Sequence, residues 1–387
     1  MGGKVKAFLV NSAIKVMSIL PLRNAVVFES SPDFACNAYP VYEKLRSDSE
    51  FFSKYKLMWL VTDGKEPCQG VEKNQLIYDD PKSFSKIIKN LYYRSTAKCF
   101  VMSNRVKNKV RKGQFFIFLC HGSKTKKTRD LYEIGDAVDC VLCQSHFFDG
   151  VICEEYNINK EQLVYLGYPR CDALFEYHTD VKEKFGAAKG EKLILWLPTY
   201  RKHKNVSDEE AISTGIPLLR DSECAEKFGK ALTDCKVRVI LKPHPAEDIT
   251  NLKAFSVPNF TVITDEMLEE KGVKLYELLS ASDALISDYS SVFYDWLLCD
   301  RPMGLTADDE QAYKNSRGFA FDLDPLYDKA SERLKSVSDL CDFVKDVAEG
   351  KDRHLEGRRE VRDLTNIYKD GNSAERTASF IVNKLKG

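Results

Sequence analysis

Short apolar runs alternate with helix-patterned segments along almost the whole chain, and this alternation leaves few folds open. Ala25–Glu29, Lys56–Val61, Lys98–Met102, Phe115–Leu119, Val138–Leu142 and Leu163–Leu166 read as strands. Pro40–Ser47 and Ser83–Tyr93 have a helical pattern between them. A second series begins after residue 180, with strands at Leu193–Leu197, Val237–Leu241, Thr261–Ile263 and Ala284–Ile286. Its helices are expected at Glu223–Thr233, Leu275–Ala281 and Val292–Leu298. Strands that are apolar throughout are buried on both faces, and the intervening helices provide the cover. Each series therefore predicts a doubly wound, Rossmann-like α/β domain around a parallel sheet. Ligands of such sheets bind beyond the carboxyl ends of the strands, and with two domains the cleft between them is the expected site.

The 387 residues suit two domains of roughly 100–200 residues each. The expected division places an amphipathic helix at residues 1–23, a first domain at 24–178 and a charged, glycine-containing linker at 179–190. A second domain follows at 191–350. A helical segment at 351–387, with no strand after it, is expected to cross back to the first domain. Within the N-terminal helix, Lys4 to Leu20 carries no acidic residue. Lys4, Asn11, Lys15 and Ser18 form a narrow polar stripe, and Phe8, Leu9, Val10, Ile14, Val16, Met17, Ile19 and Leu20 cover most of the rest. Such a helix either lies in a membrane interface, with lysine toward anionic lipid, or packs on the first domain.

Composition removes several classes. Lys plus Arg equals Asp plus Glu, at 58 each, which argues against a general nucleic-acid binder. No run of about 18 apolar residues exists to span a bilayer. The 12 cysteines show no regular framework and sit mostly within apolar runs, as reduced buried thiols do. Cys140 and Cys143 lie in the expected strand Val138–Leu142 or just after it, which is a poor zinc arrangement. There is no glycine-rich phosphate loop, no dinucleotide fingerprint and no His/Asp cluster at metal-ligand spacing. Transfer chemistry without a metal or other cofactor is the expectation.

Five stretches carry chemistry. The first is Arg111-Lys112-Gly113-Gln114, a strand, and then Cys120-His121-Gly122-Ser123-Lys124. His121 stands at a strand's carboxyl end, Gly122 permits close approach, and Lys124, Lys126, Lys127 and Arg129 make an electropositive surround. Histidine is the side chain best suited to accept a proton near neutral pH. The second stretch, Gly167-Tyr168-Pro169-Arg170 with Asp172, is by itself only a turn signal. The third, Trp196-Leu197-Pro198-Thr199-Tyr200-Arg201, places the hydrogen-bond donors Thr199 and Arg201 after a strand that Pro198 ends. The fourth, Leu241-Lys242-Pro243-His244-Pro245, presents Lys242 and His244 on a loop stiffened by two prolines. The fifth, Ile286-Ser287-Asp288-Tyr289-Ser290-Ser291, puts Ser290 and Ser291 at a helix start, as phosphate donors or simple caps.

Taken in order, these stretches resemble the CDP-glycerol glycerophosphotransferase family of wall teichoic acid synthesis. His121-Gly122-Ser123 is similar to the family's His-Gly-Thr, and Gly167–Asp172 to its Gly-Tyr-Pro-Arg-x-Asp. Leu197–Arg201 is similar to Ala-Pro-Thr-Trp-Arg. Ser287–Asp295, Asp300-Arg301-Pro302 and Arg317-Gly318-Phe319 follow in register. The resemblance implies a GT-B-type α/β fold of two Rossmann-like domains facing a central cleft, the first for the acceptor and the second for the CDP donor. It also implies peripheral attachment to the inner face of the cell membrane. His121 matches the family's base and His244 its histidine beside the donor phosphates. Gly122, Ser123, Pro198, Thr199, Arg201, Lys242, Asp288, Ser290 and Ser291 become donor-contact candidates. Two departures stand out: Cys120 replaces a tryptophan before the histidine, and Ser123-Lys124-Thr125-Lys126 replaces Thr-Pro-Leu-Lys.

The expected reaction moves glycerol phosphate from CDP-glycerol to a hydroxyl of a lipid-linked glycan and releases CMP. His121 takes the hydroxyl proton, while His244, Ser290 and Ser291 stabilise phosphate charge. Transfer from CDP-ribitol, glycosyl transfer from a nucleotide sugar, and a non-catalytic glycan-binding module are the alternatives. Cys120 beside His121 also permits thiol chemistry, although no acyl site accompanies it.

Overall fold

The computed structural model describes residues 10, 12–127, 134–178, 180–199, 216–219, 221–244, 257–306, 310, 313 and 318–386. The chain forms two units: residues 1–123, 128–172 and 370–387 make the first, and 124–127 with 173–369 make the second. Among the described residues, each unit holds one parallel sheet.

The first unit is built from β1 (Arg23–Glu29), α1 (Ala38–Ser47), α2 (Ser49–Lys54), β2 (Lys56–Thr62) and β3 (Leu76–Asp79). It continues with α3 (Phe84–Thr96), β4 (Ala97–Met102), β5 (Phe115–Phe118), β6 (Cys140–Cys143), α4 (Asp149–Tyr156) and β7 (Leu163–Tyr165). The strand order is β3-β2-β1-β4-β5-β6-β7. Val26, Val27 and Phe28 in β1, and Leu57 to Val61 in β2, are all buried, as expected for strands covered on both faces. Trp59 is fully buried, with the Phe28, Tyr42 and Phe34 rings at 5.4, 5.4 and 5.2 Å. Burial of a side chain of this size is worth about 3 kcal/mol.

The second unit runs α5 (Val181–Lys184), β8 (Lys192–Trp196), α6 (Ser222–Cys235), β9 (Val237–Leu241), β10 (Phe260–Val262), α7 (Asp265–Glu270), α8 (Leu275–Ala281) and β11 (Ala284–Ser287). After these come α9 (Val292–Trp296), β12 (Met303–Thr306), α10 (Asp324–Ala330), β13 (Glu332–Leu334), α11 (Val337–Glu349) and α12 (Leu355–Thr365). The order β10-β9-β8-β11-β12-β13 reverses direction between β8 and β11. This is the 3-2-1-4-5-6 order of dinucleotide-binding folds, whose ligands sit at that switch point.

Three strands go beyond the sequence reading: β3, β12 and β13. β3 and β13 are short edge strands, and β12 carries Gly304, so their local signal is weak. The helical stretch expected from Leu355 to Leu385 is two helices. α12 stays in the second unit, and α13 (Ser373–Lys386) packs in the first. The segment 179–190 contains α5, with Val181, Phe185 and Ala187 buried, and the chain passes between units at Asp172–Ala173.

At the N-terminus, residues 12–17 are helical. Ile14 is buried and its carbonyl accepts from the Ser95 hydroxyl on α3 at 3.4 Å. Val16 and Ile19 remain 67% and 84% exposed. One flank of the helix therefore packs on the first unit while the other keeps its apolar side chains in solvent. No described helix is long and apolar enough to cross a membrane.

Candidate functional site

β5 ends at Phe118, and the chain then turns sharply around His121. Cys120 has φ 57° and Gly122 φ 138°, backbone values that glycine adopts freely and cysteine does not. A strained residue persists only when its surroundings hold it. Cys120 is buried, its thiol donates to the Leu142 carbonyl at 3.2 Å, and its own carbonyl accepts from Asn37 Nδ2 at 2.9 Å. That packing removes Cys120 from thiol chemistry and leaves the His121 ring exposed.

Asn37, just before α1, organises this loop. Its amide donates to the Leu119 and Cys120 carbonyls, both at 2.9 Å, and its Oδ1 accepts from the Arg170 backbone N–H at 3.1 Å. Arg170 reaches the same turn with its side chain, whose Nη1 donates to the His121 carbonyl at 2.5 Å. The Gly-Tyr-Pro-Arg stretch is thus more than a turn, because it clamps the histidine loop. Asp172 ends the motif by accepting from the Ser373 and Ala374 N–H groups, at 2.9 and 2.7 Å, at the start of α13. Burial, the largest influence, still holds its carboxyl above the usual range despite those donors. Gly167, at φ 75°, leaves room for Ser373, which a β-carbon would strike.

Further back, the segment between β1 and α1 is anchored by charge. Glu29 is buried and accepts from the Asn104 and Arg105 N–H groups, at 3.1 and 2.9 Å, and from Arg105 Nε at 2.9 Å. Arg105 also reaches Asp33 at 3.3 Å. Neither Asn37 nor this ion-pair group was anticipated. The only sequence signal was an acidic residue ending an apolar run.

Ser123 is buried and its hydroxyl bonds Gln144 at the end of β6. The basic segment that follows is partly buried. Lys124 is buried, and Lys126 lies 5.4 Å from the Tyr313 ring centre. Residues 124–127 belong to the second unit, where Ala320 N donates to the Thr125 carbonyl at 2.9 Å. Arg129 lies outside the described residues.

In the second unit the candidates gather at the switch point. Thr199 follows β8 and Asp288 follows β11, the two neighbouring strands on either side of the reversal. Asp288 Oδ2 accepts from both Thr199 N and Thr199 Oγ1, at 2.8 and 3.1 Å. Ser287 Oγ donates to the Leu197 carbonyl at 2.8 Å, which ties the same two strand ends together. Pro198 sits half-buried between them. Ser290 and Ser291 are half-buried at the start of α9, and Val292 N approaches Ser290 Oγ at 3.4 Å. α9 itself is only five residues long. Tyr289 turns inward to pack against Tyr313 and Phe319, with ring centres 4.5 and 5.2 Å away.

Lys242 and His244 follow β9, the strand beside β8. His244 is exposed. Lys242 is not: it is 6% exposed, and its Nζ pairs with Asp265 at 2.9 Å. Its charge is committed within the protein, so it stabilises the base of the His244 loop. Arg201 and Pro245 lie outside the described residues. The cysteines of β6 are buried strand residues, and burial pushes the Cys140 thiol up to about 11. Among the described residues no three His, Cys, Asp or Glu side chains gather as metal ligands.

Two Rossmann-like parallel sheets, one in each unit, place the chain in the GT-B fold class. The wall teichoic acid polymerase TagF has the same fold, with a TM-score of 0.75 over 99% of this chain and 96% of that one, at 18% identity. The chain belongs to the CDP-glycerol:poly(glycerophosphate) glycerophosphotransferase family, whose model matches residues 12–383. It is accordingly an enzyme that transfers glycerol phosphate from CDP-glycerol. It is 24% identical to the teichoic acid glycerol-phosphate transferase of Staphylococcus aureus, over 96% of each chain. It is also 24% identical to the teichoic acid poly(glycerol phosphate) polymerase of Bacillus spizizenii, over 86% of this chain and 88% of that one.

Proposed function

We propose that the acceptor is a hydroxyl of a lipid-linked glycan, reached at the inner face of the cell membrane, and that His121 is the general base. The observation that carries this reading is the clamped His121 turn, whose carbonyls are held by Asn37 and Arg170 while the imidazole stays exposed. His121 accepts the hydroxyl proton, the acceptor oxygen attacks the glycerol-bearing phosphorus, and CMP departs with the electrons of the broken phosphoanhydride bond. His244, Ser290 and Ser291 serve the phosphates, where fixed donors stabilise developing charge. Thr199, Pro198 and Asp288 shape the switch point, and Gly122 and Ser123 set the turn after the base. No cofactor belongs to this reading.

The assay is CMP release from CDP-glycerol, with CDP-ribitol and UDP-sugars in parallel and a lipid-linked disaccharide as acceptor. Acceptor-dependent CMP release from CDP-glycerol supports the proposal. Equal release with water in place of the lipid-linked acceptor sinks it.

Two predictions accompany this reading. Asp288→Ala frees Thr199 N and Oγ1 together, each worth about 1 kcal/mol as a net hydrogen bond. The KM for CDP-glycerol should rise about tenfold with a smaller change in kcat, and an unaltered KM would separate Asp288 from the donor. For the membrane, the double variant Val16→Glu, Ile19→Glu places charges on the exposed apolar side chains of the N-terminal helix and the turn that ends it. Sedimentation with vesicles containing anionic phospholipid should fall several-fold, while CMP release with a detergent-dispersed acceptor stays near normal. Undiminished sedimentation would assign the flank another role.

A further inference from the structure

Cys36 stands beside His121, although 85 positions separate them in the chain: its Sγ lies 3.2 Å from His121 Nδ1. Its surroundings are built. Cys36 itself has φ 56°, a left-handed backbone value that a cysteine does not adopt without support. The next residue, Asn37, is bonded to the carbonyls of the histidine turn. Arg170 Nη1 lies 3.8 Å from the sulfur while donating to the His121 carbonyl. The thiol is half-buried, so it meets both the imidazole and solvent.

The contact at Nδ1 matters because an imidazole acts as a base through one nitrogen only when the other carries the hydrogen. With Nδ1–H pointing at Cys36, Nε2 is left to take a proton. We propose that Cys36, as a thiolate, holds Nδ1–H of His121 and stabilises the imidazolium formed when Nε2 takes the acceptor proton. The role parallels that of a carboxylate behind a catalytic histidine. A thiolate is favoured beside a guanidinium and an imidazolium, and Arg170 provides the permanent charge. Other titratable groups near the turn are poorly placed for this role. Cys120 is buried with its thiol on the Leu142 carbonyl, Cys143 donates to the Ser145 carbonyl, and burial holds the Tyr168 hydroxyl well above its ordinary range. Lys124 is buried in the second unit's segment. Cys36 is a positioning residue, since it acts through His121. The inference rests on His121 being the base.

The test compares Cys36→Ala, Cys36→Ser and Cys36→Asp in the full-length enzyme. Cys36→Ala should lower kcat about 10- to 100-fold at unchanged KM for CDP-glycerol. Loss of the anionic partner lowers the pKa of His121, so the acid limb of the kcat/KM profile moves to lower pH. Cys36→Asp should restore the limb and much of the rate, whereas Cys36→Ser, a poor anion, should behave like Cys36→Ala. A second measurement does not depend on activity. Alkylation by iodoacetamide, read by mass on the peptide containing Cys36, should be fast at pH 7 in the wild type and several-fold slower in His121→Gln. Alkylation indifferent to His121→Gln overturns the pairing, and wild-type kcat with an unmoved acid limb in Cys36→Ala overturns the positioning role. If the base reading alone is wrong, His121→Gln keeps its turnover but still slows alkylation, and that pattern tells the two failures apart.

Discussion

His121→Ala should lose about 10²- to 10⁴-fold in turnover while its affinity for CDP-glycerol stays close to that of the wild type. The size follows from what a positioned base contributes, and corresponds to about 3–5 kcal/mol of barrier. Donor affinity survives because His244, Ser290 and Ser291, the candidate phosphate contacts, belong to the second unit and are untouched by the substitution. The substitution should also be well tolerated by the fold. The imidazole is exposed, and the bonds that secure the turn run to the backbone of residues 119–121. Turnover would be read by CMP release and affinity by calorimetric titration with CDP-glycerol. The acid-side fall in rate that the base imposes should vanish in the variant. Turnover within a few-fold of wild type would remove the assignment of His121 as base.

Asn37→Ala should have the second largest effect, this time on stability and rate together. Asn37 is fully buried, and its loss removes two hydrogen bonds to the Leu119 and Cys120 carbonyls and one from the Arg170 N–H. A buried polar group without a partner costs about 1–3 kcal/mol, so the first unit should lose roughly 3–5 kcal/mol in denaturant unfolding. The strained Cys120 turn would relax, and His121 would move with it. Displacement of a reacting group by about 1 Å is enough for a 10²-fold loss of rate. Asn37→Asp should do no better, because a carboxylate cannot donate to the Leu119 and Cys120 carbonyls. Measured on the folded protein, KM for CDP-glycerol should be unchanged. A folded Asn37→Ala variant with full turnover would show that the turn is held by other contacts.

Much of the architecture could be read from local pattern. β1, β2, β4, β5 and β9 have mainly apolar, buried centres, and the strands expected there occur within two residues at either end. α8 matches its expected limits. Failures came where the local signal was thin or misleading. β13 is three residues, two of them charged, and becomes a strand only because β12 offers it hydrogen bonds. Between α12 and α13, Asp370-Gly371 is a turn signal, but nothing local announces that the chain changes unit there.

The same contrast governs the site. His121 was legible because a histidine at a strand's end before glycine is conspicuous in one short window. Asn37 was not, since its partners lie 82 and 133 positions away and an asparagine before a helix reads as an ordinary loop residue. Lys242 reads in sequence as a donor-contact candidate after β9, whereas in the structure Asp265 pairs with its ammonium. Hydrophobic periodicity, being local, determined where strands and helices form and that two parallel sheets follow. Which side chains meet was decided only by the tertiary structure. A parallel sheet places the carboxyl ends of strands distant in sequence side by side, and there Asn37, Cys36 and Arg170 converge on His121 while Thr199 meets Asp288.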